Sequence, residues 1–147
     1  MAKRAIFQGP VEIGETPVYA EGTSAVALVP GYVVTRSGNT LALLNAAATN
    51  ATEALVVVER GSGFKGDITT PWAIGDTVRA VKVRSGQFVN VACKTAQTLA
   101  KGDFLTSKAS AGGLLEKGVA GTDVPLFFVE EAVTTSAAGQ LVLAYKA

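Results

Sequence analysis

From residue 25 onward the hydrophobic positions fall in short runs separated by glycine-bearing turns. Short apolar runs bounded by turn residues read as strands rather than helices. The runs cover residues 25–29, 31–36, 40–44, 55–60, 76–84, 87–93, 102–107, 113–116, 125–132 and 140–146. In Val81-Lys82-Val83-Arg84 apolar and charged residues alternate, as in a strand with one wet face. Ser37-Gly38-Asn39 and Ser85-Gly86 are turn sequences. Residues 46–54 are alanine-rich and have helical propensity. Among so many strands they are expected to form a loop with at most a short helix. Residues 95–99 are expected to hold one helical turn, and 61–74 an irregular excursion. Many short strands with glycine-rich turns predict an all-β fold, a small barrel or sandwich.

One pattern occurs twice. Gly31, Thr35, Leu43, Leu44, Leu55, Val58 and Glu59 each recur 71 positions later, as Gly102, Thr106, Leu114, Leu115, Leu126, Val129 and Glu130. The chain is therefore expected to contain two similar strand–turn–strand units. A second echo, Gly86-Gln87-Phe88-Val89 against Gly139-Gln140-Leu141-Val142, is 53 positions apart. On that alignment the second unit lacks 18 residues, about the length of 66–83. That segment and the N-terminal stretch then have no counterpart in the second unit.

Residues 1–24 read as an extended arm before a single β domain at 25–147. Pro10, Gly14, Pro17 and Gly22 interrupt any long element. Ile6, Phe7, Val11, Ile13, Val18 and Tyr19 give the arm more apolar surface than a solvated tail needs. They are candidate contacts to another protein, or else part of a terminus with one edge strand. Trp72, beside Pro71, either folds back as a lid on the core or anchors a protein contact.

Composition narrows the chemistry. The chain has 147 residues, 48% hydrophobic and 17% charged, with net charge +1. That length suits one domain, and the charge offers no basic field for nucleic acid. No apolar stretch is long enough to span a bilayer, and the basic start lacks the apolar region of a signal peptide. There is no histidine, and Cys93 is the only cysteine. In its alternating run Cys93 reads as a buried strand residue, without a histidine base to activate it. Gly61-Ser62-Gly63-Phe64-Lys65-Gly66 has the letters of a dinucleotide loop, but Pro71 stops the helix that loop requires. Glu130 and Glu131 are neighbours in a strand and point to opposite faces. Glu59 and Glu130 occupy equivalent strand ends. No metal or cofactor site is expected, and the expectation is a protein that is not an enzyme.

The order of these pieces resembles the small head-decoration, or capsid cement, proteins of tailed bacteriophages. The resemblance rests on Pro30-Gly31-Tyr32-Val33-Val34, residues 55–59, Gly75-Asp76-Thr77-Val78, Gly86-Gln87-Phe88-Val89, residues 99–105 and Gly139-Gln140-Leu141-Val142. The two Gly-Asp hairpin starts match best. It implies a β-tulip or jelly-roll like fold with an N-terminal arm. It also implies a role on the virion exterior after synthesis in the host cytoplasm. There such proteins bridge neighbouring major capsid protein subunits, often as dimers or trimers, without nucleic acid or membrane partners. The other reading is a small β-sandwich ligand- or receptor-binding module of a virion or tail.

Overall fold

The glycines that punctuate the sequence set its turns. A computed structural model of the chain describes residues 5–9, 17–60 and 67–147, and five turns that lead directly into strands share one geometry. In turns 29–32, 73–76, 84–87, 100–103 and 137–140 the fourth N–H donates to the first carbonyl over 3.0–3.3 Å. The third residue is always glycine, with φ between 81° and 92°. A positive φ there defines a type II turn, which glycine enters at no steric cost. Three of the five are closed a second time by a side chain. Asp76, Gln87 and Asp103 accept from the N–H of Ala73, Arg84 and Ala100 at 2.9, 2.9 and 2.8 Å. Both Gly-Asp hairpin starts are thus the same turn.

The strands are β1 (Phe7–Gly9), β2 (Val18–Gly22), β3 (Val33–Ser37), β4 (Thr40–Leu43), β5 (Leu55–Val57), β6 (Val78–Lys82), β7 (Phe88–Cys93), β8 (Thr98–Leu99), β9 (Phe104–Thr106), β10 (Glu116–Lys117), β11 (Phe127–Val129), β12 (Val133–Thr134) and β13 (Gln140–Tyr145). No helix occurs among the described residues. Residues 46–54 form a loop. The expected helical turn at 95–99 is instead a turn entering β8, with Ala96 at φ 58°.

The strands make a five-stranded sheet, β4-β3-β5-β6-β2, a six-stranded sheet, β10-β9-β11-β13-β7-β1, and the β8–β12 pair. All named pairings are antiparallel. Apart from β1, the two sheets have the same order, so the fold is duplicated, although of the seven repeated letters only Gly31/Gly102 and Thr35/Thr106 fall on equivalent positions. Gly31 N–H donates to Val57 and Val57 N–H to Tyr32; Gly102 donates to Val129 and Val129 to Asp103. The isolated Leu28–Trp72 bridge corresponds to Leu99–Val133 in the β8–β12 pair. In each unit one parallel bridge curls the sheet back on itself, Thr23 to Thr40 and Cys93 to Leu115. The fold is all-β, two curled antiparallel sheets packed as a sandwich, each short of a closed barrel.

The structure corrects three expectations. First, the counterpart of β13 is β6, and the counterpart of β7 is β2. The 53-residue echo marked a shared turn, and the same turn serves between different strands. Second, segment 66–83 therefore has a counterpart. The excess lies between Val57 and Trp72, 15 positions against 4 between Val129 and Val133. Residues 61–66, the glycine loop, lie outside the described residues. Third, the described part of the 1–24 arm belongs to the fold: β1 pairs with β7 and β2 with β6. Asn90 clamps β1, its N–H bonding Ile6 O at 2.7 Å and its Nδ2 bonding Ala5 O at 2.7 Å.

The core explains the composition of the strands. Val33, Val56 and Val81 join Val89, Val91, Leu105, Phe127, Val129 and Val142 in one cluster shared by both sheets. Leu28, Val34, Leu41, Leu55, Val57, Val78 and Ala80 form a second cluster on the other face of the five-stranded sheet. With both faces covered, β5 reads as an unbroken apolar run rather than an alternation. Cys93 lies fully buried in the shared cluster, as its alternation suggested.

Candidate interaction surface

The residues singled out in the sequence do not form one site. Ile6 is 0% exposed in the shared core and presents nothing to a partner. Phe7 packs half-buried against that core. Val11 and Ile13 lie outside the described residues. Val18 and Tyr19 are exposed on β2, at 37% and 42%. Trp72 is half-buried against the second cluster. Its Nε1–H donates to Val58 O at 2.8 Å, and the Arg60 guanidinium stands 5.8 Å over its ring. Trp72 is therefore a lid whose polar edge is satisfied.

One apolar surface was missed in the sequence. Phe88, Tyr145, Phe128 and Phe104 sit on neighbouring strands β7, β13, β11 and β9, on the face opposite the core residues Val89, Ala144, Phe127 and Leu105. Their rings form a continuous row, with centroid separations of 6.0, 5.7 and 6.4 Å. All four are half-buried. Gly118 lies directly under the Phe104 ring, where a Cβ would collide with it. In the first unit the equivalent positions are Tyr19, Val81, Val56 and Val33. The three valines are fully buried. The signal in the sequence was an aromatic residue one place out of step with the core pattern in four strands. A second feature is an apolar groove of about 270 Å³ beside β4, lined by Ala25, Val26, Leu41 and Leu43 among others.

Several ionisable groups among the described residues are committed to structure. Lys101 pairs with Glu130 at 2.6 Å at the edge of the aromatic row, which raises the lysine pKa. Glu130 and Glu131 lie beyond the end of β11, so strand alternation does not set their directions; Glu131 accepts from Leu143 N–H at 2.8 Å, a different partner from that of Glu130. Glu59 accepts from Ile6 N–H at 3.2 Å, a different partner from that of Glu130. Lys94 and Lys108 both reach Glu116, and Lys108 also reaches Asp123. Burial would raise the Glu116 pKa, but the two ammonium groups lower it on balance. Asp67 is held far below the usual carboxylate range by the hydroxyls of Thr70 and Thr69. Burial pushes the Cys93 thiol up to about 12, which leaves it unreactive. Among the described residues no three histidine, cysteine or carboxylate side chains are grouped to hold a metal ion. No helix in them is long and apolar enough to cross a membrane. The chain matches no protein-family model and no curated protein sequence.

Proposed function

We propose that this chain is a structural protein of a tailed-phage head, bound outside the capsid and bridging neighbouring major capsid protein subunits. The resemblance carried by its Gly-Asp turns and strand order supports this reading. The observation that carries it furthest is the aromatic row Phe88-Tyr145-Phe128-Phe104 on the outer face of the six-stranded sheet. Aromatic side chains dominate protein contacts because they bury much area with few rotors to immobilise. Near-neutral net charge suits dense packing of many copies on one shell. Modest contacts repeated over such copies add up without a tight single site.

Decoration-free expanded heads mixed with the purified protein test the proposal. Saturable co-sedimentation is expected, with protection of the heads against heat or osmotic shock. Absence of binding overturns it. The same row also favours a ligand-binding module, the second reading. Phe128 and Tyr145 are stacked on each other, however, which takes up ring faces a sugar would stack on. Clear hits on a glycan array, with no binding to heads, would establish that reading instead.

A further inference from the structure

Among the described residues, the duplicated fold has one strand position filled in one unit and open in the other. In the six-stranded sheet the outer edge of β7 is covered by β1, with Phe7 opposite Val89. The equivalent of β7 is β2, and the equivalent of Val89 is Ala20, since each faces the matching alanine of the next strand, Ala144 and Ala80. Among the described residues nothing pairs with the outer edge of β2 over Tyr19–Glu21; just beyond it Thr23 bridges Thr40, and Asn39 lies against Gly22. This edge carries little protection. Edge strands are commonly guarded by internal proline, lysine or a bulge. β2 reads Val18-Tyr19-Ala20-Glu21-Gly22, and its five pairings with β6 run in unbroken register.

We propose that the outer edge of β2 is a self-association site. Over residues 19–21 it pairs antiparallel with β2 of a second copy about a twofold axis at Ala20, joining two five-stranded sheets into one. Charge and backbone chemistry select that register. An axis at Glu21 sets two carboxylates directly opposite, which is destabilising. An axis at Tyr19 brings Pro17, which has no N–H to give, into the ladder. With the axis at Ala20, Tyr19 faces Glu21 of the second copy. Arg79 stands 5.8 Å over the Tyr19 ring and 3.4 Å from Glu21 of its own chain. Its guanidinium then lies between two carboxylates, one from each copy. Val18 and Tyr19 lose exposed apolar surface in the same step. A strand pairing this short buries far less than the ~800 Å² per partner of a standard interface. The association is therefore weak in dilute solution and strengthens where copies are held close together. It stands apart from the capsid proposal, and either can fail alone.

Disulfide trapping tests it. In the Ala20 register residue 19 of one copy faces residue 21 of the other, with Cβ atoms about 5 Å apart. Tyr19→Cys and Glu21→Cys proteins, mixed and mildly oxidised at high concentration, should give a covalent dimer several-fold more abundant than either variant alone. Val26→Cys, equally exposed on another surface, is the reference for random collision. Hydrogen exchange on the unmodified protein is the second measurement. The β2 amides should gain protection as concentration rises, while those of β10 stay unchanged. A mixture that cross-links no more than Val26→Cys, or β2 exchange independent of concentration, overturns the proposal. Dimers from one variant alone would point to another register and overturn the Ala20 axis.

Discussion

Leu28 and Trp72 exchange two backbone hydrogen bonds, 3.1 Å from Leu28 N–H and 2.8 Å from Trp72 N–H. The pair occupies the place of Leu99 and Val133 in the second unit. The tryptophan is thus the first unit's version of a structural bridge, and its loss should be felt as instability. Trp72→Ala is expected to cost about 3 kcal/mol. Trp72→Phe, which leaves the Val58 carbonyl without its donor, should cost about 1 kcal/mol. Ile74→Ala, at a side chain 67% exposed, should stay within about 0.5 kcal/mol. Urea unfolding of the three variants checks the order. A neutral Trp72→Ala would return this residue to the surface.

Gly31 and Gly102 are equivalent and share φ 92°, but their surroundings differ. A Cβ on Gly102 meets nothing within 4 Å, whereas one on Gly31 collides with Leu141 Cδ2. Gly102→Ala should therefore cost only the left-handed backbone, about 1 kcal/mol. Gly31→Ala should cost a further ~1–3 kcal/mol for overpacking. Equal losses would mean that Leu141 moves aside.

Ile6 is the buried anchor of β1. Ile6→Ala should destabilise by about 3 kcal/mol, while Val18→Ala, at an exposed site, should stay within about 0.5 kcal/mol. Removal of residues 2–20 would strip two edge strands and this anchor together. That truncation is expected to unfold the protein rather than free it of an arm, as circular dichroism would show.

Acid should weaken the fold through identifiable carboxyls. Asp103 is lowered by the Ala100 N–H and then by Lys117, and Glu116 by Lys94 and Lys108 against its burial. Both are more acidic folded than unfolded. Their charge supports folding above the ordinary carboxylate range, and that support is lost as pH falls through the lowered folded values. Asp103→Asn keeps an acceptor for Ala100 but cannot titrate. Its melting temperature should fall less steeply on acidification than that of the unmodified protein.

Cys93, with its thiol raised to about 12 by burial, should resist thiol reagents at mildly alkaline pH and react only as the protein unfolds. Labelling at a rate independent of denaturant would contradict this.

Local chemistry was legible in the sequence. Gly75-Asp76 and Gly102-Asp103 announced their turns because glycine and a short acceptor dictate the geometry within four residues. Cys93 announced its burial by alternation. Partnership between distant strands was not legible. Ile6 enters the core because Asn90, 84 positions away, receives β1, and no local pattern encodes that. The repeat was seen but misaligned after β3: Leu43 pairs with Val34, whereas Lys117, not Leu114, pairs with Leu105. Leu55 and Leu126 share a letter, yet the hydrogen bonds equate Val57 with Val129, one place further on. A one-residue slip reverses the faces of a strand. The letters therefore hid the equivalence of Val56 with Phe128, and with it the aromatic row.

β7 lies between the first and the last strands of the chain, antiparallel to both. β1 and β13 consequently run the same way: the chain comes into β1 beside Asn90 and leaves β13 beside Phe88. Tension applied through the two termini would load these ladders lengthwise, as shear. In that direction the six residue pairs between β13 and β7 must yield together rather than open one by one. Mechanical strength is thereby concentrated at one strand near the middle of the sequence.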